Sequence, residues 1–344
     1  MYDSYYHFTA KPFQLSPDPK FFYGSKGHKR AMAYLEYGLS LGEGFIVITG
    51  DVGAGKTTLV RNLFKQMEEE NIIAAQLVST QLDADDTLRS VAASLGLEHE
   101  GISKSALLKN LQDFLTAASR QNKRVLLVVD EAQNLTPRAV EELRMLSNFQ
   151  NDDRSLIQTF LLGQPEFRGI LQSVDMQQLR QRVIASYHLG PLDTDETRGY
   201  IEHRLNLVGW KGLPSFSDEA FQAIHRFTGG IPRRINTFCD RLMLFGYLEE
   251  KAHFGDEEIS EVIEDLRHEV AHQESSQTLM SARTGVLPPP GMAEETVRLS
   301  QRVEQMERSV NRILPIVRKI LFMVSEKQAG NEEMDQQPPI ERAG

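Results

Sequence analysis

Short apolar runs alternate with amphipathic stretches through the first half of the chain. The runs stand at 45–49 (FIVIT), 74–79 (AAQLVS), 125–129 (VLLVV), 157–162 (IQTFLL) and 183–189 (VIASYHL). Between most of them, apolar residues recur every three or four positions. Two such segments are clear: 104–120 (KSALLKNLQDFLTAASR) and 137–149 (PRAVEELRMLSNF), the latter with Thr136 as cap and Pro137 in its first turn. Strands that are apolar throughout and alternate with helices predict a parallel sheet covered on both faces. From about residue 191 the strand signal stops. Segments 195–208, 217–228, 232–250 and 256–270 read as helices, and Gly229-Gly230 closes the second. The pattern predicts an α/β domain at 1–190 and a small all-helical domain at 191–270.

Beyond this the texture changes. Residues 271–292 are polar and Pro-rich and read as a linker. Leu299, Val303, Met306, Val310, Ile313, Val317 and Ile320 then fall at alternating spacings of four and three. That stripe predicts an amphipathic helix or short coiled coil over 293–325, with Pro315 off the stripe. Residues 326–344 are polar, contain Pro-Pro, and are expected to be a disordered tail.

Composition narrows the classes. Hydrophobic residues at 40% and charged residues at 25% fit a soluble globular chain. A net charge of −10 disfavours a surface given over to nucleic acid, while leaving room for a local basic patch. The single cysteine, Cys239, excludes an intrachain disulfide framework. The N-terminus has no basic segment followed by an apolar one, and no run of about 18 apolar residues occurs. The expectation is a cytoplasmic protein with no transmembrane segment of its own, peripheral to the inner membrane only through partners.

The chemistry begins behind the first apolar run. Gly50, Asp51, Val52, Gly53, Ala54, Gly55, Lys56, Thr57 and Thr58 spell G-x-x-x-x-G-K-T-T, with a helical pattern starting at Leu59. This is a phosphate-binding P-loop, which implies a nucleoside triphosphate with Mg²⁺. Its glycines let backbone N–H groups curl around phosphates. Lys56 is placed to reach the β- and γ-phosphates, and the Thr57 hydroxyl to ligate Mg²⁺. The run at 125–129 ends in Asp130-Glu131, a Walker B element. Asp130 would hold Mg²⁺ and Glu131 would act as general base on the attacking water. Gln164, at the end of the run at 157–162, suits a sensor of the γ-phosphate or that water. Arg182, with Arg180 as its alternate, stands where an arginine finger would reach a neighbouring subunit's nucleotide. Arg233, at the helix start GGIPRRIN, could reach back to the phosphates from the helical domain.

In this order, these motifs resemble an AAA+ ATPase. PFQLSPDPKFFYGSKGHKRAMAYLEYGL at 12–39, GFIVITGDVGAGKTTL at 44–59, VVDEAQNL at 128–135, LLGQPEF at 161–167, LRQRV at 179–183 and GGIPRRIN at 229–236 resemble the ExeA/GspA-type secretion ATPases. Length and the lack of a membrane span are most similar to the ATPase of exosortase (PEP-CTERM) loci, which accompany exopolysaccharide genes. The resemblance implies ATP, Mg²⁺ and a homo-oligomeric ring or partial ring, often hexameric, with each site completed by a neighbour's arginine. It also implies adenine near Phe22-Tyr23-Gly24 and His28. ExeA/GspA proteins typically continue into a membrane span and a periplasmic region, and this chain has a linker and coil instead. Docking to a membrane-embedded secretion or polysaccharide partner is therefore expected in place of direct wall contact.

Two rival readings stay open at this point. A DNA-associated AAA+ regulator of the transposition type carries the same nucleotide motifs. It should present clustered Lys/Arg, whereas Arg233, Arg234 and Arg241 are offset here by Asp218, Glu219, Asp240, Glu249 and Glu250. The other is a scaffold that binds ATP and barely turns it over. The string DEAQ also occurs in helicases, but no second α/β domain follows residue 190.

Overall fold

The computed structural model describes residues 2–268 apart from residue 17 and segments 68–70, 79–82 and 152–153. The linker, coil and tail expected beyond residue 270 lie outside the described residues. Residues 1–268 form one compact unit.

Helices α1 (Tyr2–Tyr5) and α2 (Lys26–Leu41) precede β1 (Phe45–Gly50). Then come α3 (Lys56–Met67), β2 (Ile72–Val78), α4 (Ala84–Ser94), α5 (Lys104–Arg120), β3 (Arg124–Asp130) and α6 (Pro137–Leu146). A small antiparallel pair, β4 (Gln150–Asn151) and β5 (Arg154–Ser155), leads to β6 (Ile157–Gly163), α7 (Glu166–Gln172), α8 (Gln177–Arg180) and β7 (Val183–Leu189). The remainder comprises α9 (Thr194–Leu207), β8 (Ser215–Phe216), α10 (Asp218–Thr228), α11 (Pro232–Leu248), β9 (His253–Phe254) and helical turns over 256–268.

The main sheet is parallel throughout, in the order β2-β3-β6-β1-β7. Its strands read as unbroken apolar runs because alternate residues serve opposite faces, and both faces are covered. Phe45, Val47, Leu127, Val129 and Leu161 pack against Leu88, Leu111 and Leu143 of α4, α5 and α6. Ile46, Ile48, Val128, Phe160 and Leu162 pack against Leu35 of α2 and Leu59 and Leu63 of α3. Burying each such Leu contributes about 1.5–3 kcal/mol.

The helical part has its own core around Ile201, Ile224, Phe238 and Leu242. Tyr2, Tyr6, Phe8 and Phe13 belong to that core, so the N-terminal segment, read above with the sheet, packs on the helices that follow it. Buried Arg204 ties the two together. Its Nε donates to the Pro12 carbonyl (2.6 Å), Nη2 to the Gln14 carbonyl (3.2 Å) and Nη1 to the Tyr200 hydroxyl (2.8 Å). Within this otherwise helical region, β8 and β9 form a two-residue parallel pair that places Phe216 against Phe254.

Several local boundaries differ from the sequence expectation. The P-loop helix opens at Lys56 instead of Leu59. Its first turn is polar because it faces the loop, so the apolar period starts only where the helix meets the sheet. Helix α6 stops at Leu146 instead of Phe149, where the chain turns into β4 and Phe149 packs back on the core.

Candidate functional site

Strand order decides what meets what. With β6 between β3 and β1, the carboxyl ends of these three strands lie side by side. The P-loop follows β1, Asp130 and Glu131 end β3, and Gln164 follows β6. That edge is where ligands of parallel α/β sheets bind.

The loop itself is a tight cradle. The Ala54 N–H donates to the Asp51 carbonyl at 3.1 Å, and Gly53 and Gly55 have φ of 83° and 100°. A Cβ at Gly53 would lie 2.3 Å from the Arg233 Cβ, and one at Gly55 would lie 2.8 Å from the His28 Nε2. Both positions therefore demand glycine, for φ and for space. Helix α3 begins at once, so its unsatisfied N–H groups and positive dipole end face the cradle. Lys56 Nζ donates to the Gly50 carbonyl (2.6 Å) and the Asp51 carbonyl (3.0 Å). Burial lowers the Lys56 pKa, while the nearby Glu131 and Asp130 carboxylates pull it upward.

The Thr57 hydroxyl donates to Asp130 Oδ2 at 2.8 Å, and Asp130 Oδ1 accepts the Glu131 N–H at 3.0 Å. A hydroxyl and a carboxylate beside a phosphate cradle form the sparse oxygen set that Mg²⁺ takes when phosphates and water complete its shell. Among the described residues no cluster of three His, Cys, Asp or Glu exists to hold a metal. A cation here would rest on Thr57, Asp130 and the nucleotide.

Glu131 adopts a left-handed backbone, φ 54° and ψ 42°. Its Oε2 accepts hydrogen bonds from Gln133 Nε2 (2.5 Å) and Gln164 Nε2 (3.1 Å). Partial burial pushes its pKa up, but those two donors and the Lys56 charge outweigh it, and the carboxyl sits below its ordinary value. It is ionised at neutral pH, as a proton acceptor must be.

From the helical side, α11 meets the loop directly. The Arg233 N–H donates to the Gly53 carbonyl at 3.2 Å. A cavity of about 380 Å³ runs between the P-loop and the helices, within the range of small-ligand sites. It is lined by Phe22, Tyr23, His28, Tyr200, Arg204, Arg233 and Asn236 as well as Val52, Lys56, Thr57, Thr58 and Glu131. His28 is buried, shares a 2.7 Å hydrogen bond through Nδ1 with Ser25 Oγ, and packs edge-on against Phe22. Burial lowers its pKa and keeps the ring neutral.

The structure thus lines one cavity with Val52, Gly53, Gly55, Lys56, Thr57, Thr58, Glu131 and Arg233, with Asp130 bonded to Thr57 and Gln164 to Glu131 behind it, while Gly50, Asp51 and Ala54 belong to the loop and do not line it. It does not bring Arg182 or Arg180 there. Arg182 Nη1 donates to the Ser147 hydroxyl (2.8 Å) and Arg180 Nη1 to the Leu171 carbonyl (2.9 Å). The sequence reading passed over Gln133, which touches both Glu131 and Gln164. It also passed over the Arg204–Tyr200–Asn236 chain, in which the Tyr200 hydroxyl donates to Asn236 Oδ1 at 2.9 Å. A polar residue two places after Glu131 was the signal available for the first. The second is a tertiary convergence with no local pattern.

The contact between Gly53 and α11 yields a direct prediction. Gly53→Ala should cost about 1–3 kcal/mol through its positive φ and the clash with Arg233, and should also weaken nucleotide affinity. Denaturant unfolding and nucleotide titration check it. An unchanged midpoint with unchanged affinity would mean that loop and helix are not in contact in solution.

Comparison with known proteins agrees with this geometry. Residues 40–171 match the family model described as "AAA domain". "General secretion pathway protein A" of Aeromonas hydrophila is 39% identical over 248 residues, covering 72% of this chain and 45% of that protein. The chain spans less than half the length of that relative. Among solved structures, Cdc6p from Pyrobaculum aerophilum is similar with a TM-score of 0.58 at 19% identity, covering 73% of this chain and 70% of that one. The Aeropyrum pernix ORC1 protein, solved in complex with DNA, has a TM-score of 0.57 at 14% identity, covering 81% of this chain and 73% of that one. At such identities the likeness shows the fold alone. Among the described residues, no helix is long and apolar enough to cross a membrane.

Proposed function

On the premise that residues 40–171 are an AAA domain of the P-loop fold, we propose that the protein binds ATP with Mg²⁺ and hydrolyses it to ADP and phosphate. The observation that carries this reading is the Thr57–Asp130 hydrogen bond of 2.8 Å, which joins the helix after the P-loop to the end of β3, with the Glu131 carboxylate next along the chain. P-loop N–H groups and Lys56 bind and orient the phosphates. Thr57 and Asp130 would hold Mg²⁺, which would neutralise charge on the phosphate oxygens. Glu131 accepts the proton of the attacking water, and Gln164 reports the γ-phosphate to it. Arg233 carries nucleotide state into the helical lid, taken as 191–270, through the backbone contact at Gly53. Phe22, Tyr23 and His28 form the base-binding wall.

Arg182 lies away from its own pocket, which suits a residue that completes a neighbour's site in a ring or partial ring. The likeness to General secretion pathway protein A over 248 residues supports work in a secretion pathway, and a place at the inner membrane through partner proteins rests on the sequence resemblance. The narrower assignment, to an exosortase-linked exopolysaccharide system, rests on the sequence resemblance. The DNA-associated alternative gains nothing from the solved structures, whose likeness is one of fold.

The test is phosphate release by the full chain with and without Mg²⁺, alongside nucleotide titration of Lys56→Ala. Wild type should hydrolyse ATP only with the cation. Lys56→Ala should bind ATP about 10- to 100-fold more weakly, the worth of a charged hydrogen-bond donor. A wild-type chain that binds ATP without releasing phosphate would leave the scaffold reading standing and remove this one.

A further inference from the structure

Gln133 sits in the short 3-10 turn Ala132–Asn134 that follows β3, two residues beyond Glu131. Both ends of its side-chain amide are engaged. Nε2 donates to Glu131 Oε2 at 2.5 Å, and Oε1 accepts the backbone N–H of Gln164 at 3.0 Å. These partners fix the orientation of the amide, since a carboxylate only accepts and a backbone N–H only donates. Gln164 Nε2 donates to the same Glu131 oxygen at 3.1 Å. Strands β3 and β6 are neighbours, with Val129 opposite Leu161. One planar amide therefore spans the ends of two strands and joins the carboxylate on the first to the backbone of the second.

We propose that Gln133 is a positioning residue for hydrolysis, aiming the Glu131 carboxylate and making that aim follow the end of β6. The inference rests on Glu131 being the general base. Both side-chain donors meet Oε2, so the pair selects one oxygen and assigns proton acceptance to Oε1. Glu131 needs such an outside hold. Its left-handed backbone is a conformation that a non-glycine residue keeps only when its surroundings impose it. A displacement at Gln164, whether of its backbone or its side chain, reaches the carboxylate through hydrogen bonds of 3.1 Å or less. The base can then be aligned or misaligned by whatever Gln164 senses, with no movement of the P-loop.

Steady-state kinetics of the full chain test this with Gln133→Met, which keeps length and removes the amide, and Gln133→Glu, which keeps shape and adds charge. Gln133→Met should lower kcat about 10- to 100-fold, the cost of a misplaced reacting group. Its KM and its affinity for a fluorescent ADP should stay within about twofold, because only transition-state alignment is lost. Gln133→Glu sets a second carboxylate beside Glu131, which disfavours ionisation of the pair. Its kcat should fall with ADP affinity kept within about twofold, the same split as in Gln133→Met, which a purely structural role would not produce.

An active wild type with Gln133→Met kcat within twofold overturns the role of Gln133 alone. So does a parallel fall in kcat, ADP affinity and unfolding midpoint, which would make Gln133 a fold residue. A wild type that binds nucleotide and releases no phosphate overturns the ATPase reading, and this inference with it.

Discussion

Glu131→Gln should bind ATP as tightly as the parent chain and release phosphate slower by a factor of about 10²–10⁴, the usual contribution of a positioned base. The substitution keeps the side chain's volume. It leaves Asp130 and Thr57 in their 2.8 Å contact, and it leaves Lys56 with its two carbonyl partners. What goes is the proton-accepting oxygen. The amides of Gln133 and Gln164 can still donate to the new carbonyl, so local geometry should survive. Single-turnover phosphate release and equilibrium ATP binding separate the two effects. A variant that hydrolyses at the wild-type rate would place the base elsewhere, and a variant that loses ATP would make Glu131 a binding residue.

Arg182→Ala should lower kcat by about 10³ or more while each subunit still binds ATP, because an arginine finger acts on charge that develops on the transferring group. Its place supports this. Arg182 is half-buried beside Ser147 just past α6, and its backbone carbonyl accepts the Phe45 N–H at 3.0 Å, so it is anchored where β1 begins, at the edge opposite the P-loop. The nucleotide it serves would have to belong to another copy. Mixing offers a sharp readout. Arg182→Ala subunits combined with Lys56→Ala subunits should recover part of the lost rate, since hybrid interfaces pair an intact pocket with an intact arginine. No recovery, or turnover that does not depend on protein concentration, would make Arg182 a structural residue bonded to Ser147.

What the sequence disclosed and what it withheld follow from distance along the chain. The P-loop and the Asp130-Glu131 pair are contiguous and sit behind strands buried on both faces, so their apolar runs and polar ends stand out. Helix α5 was legible to its limits because Ser103 caps it, its side chain accepting the Ala106 N–H, and Leu107, Leu111 and Leu115 keep a steady period. Helix α3 opens three residues before the apolar period because Lys56 and Thr57 line the cavity and do not join the apolar core. The N-terminal aromatics divide by tertiary position, Tyr2, Tyr6, Phe8 and Phe13 packing in the core of the helical part while Phe22 and Tyr23 line the cavity. Nothing local marks Arg204 as the clasp between the N-terminal segment and α9, since its carbonyl partners stand at Pro12 and Gln14. Gln133 was hidden for a different reason. Its neighbour in function, Gln164, reaches it only because β6 enters the sheet beside β3.

That same insertion governs how the protein is made. Phe45 of β1 pairs with Thr159 on one side and Val183 on the other, while β2 and β3 lie beyond β6 and cannot shelter it. A chain leaving the ribosome therefore carries β1 without a partner until more than about a hundred further residues have been added, several seconds or more at ordinary rates of synthesis. Closing such distant contacts is slow even for a finished chain. Leu189, whose carbonyl lies against Gly50, is the last residue of the sheet to arrive. A nascent chain halted before it displays a complete P-loop sequence with no pocket around it. Such a chain exposes on both edges of β1 the backbone groups that β6 and β7 pair in the finished sheet.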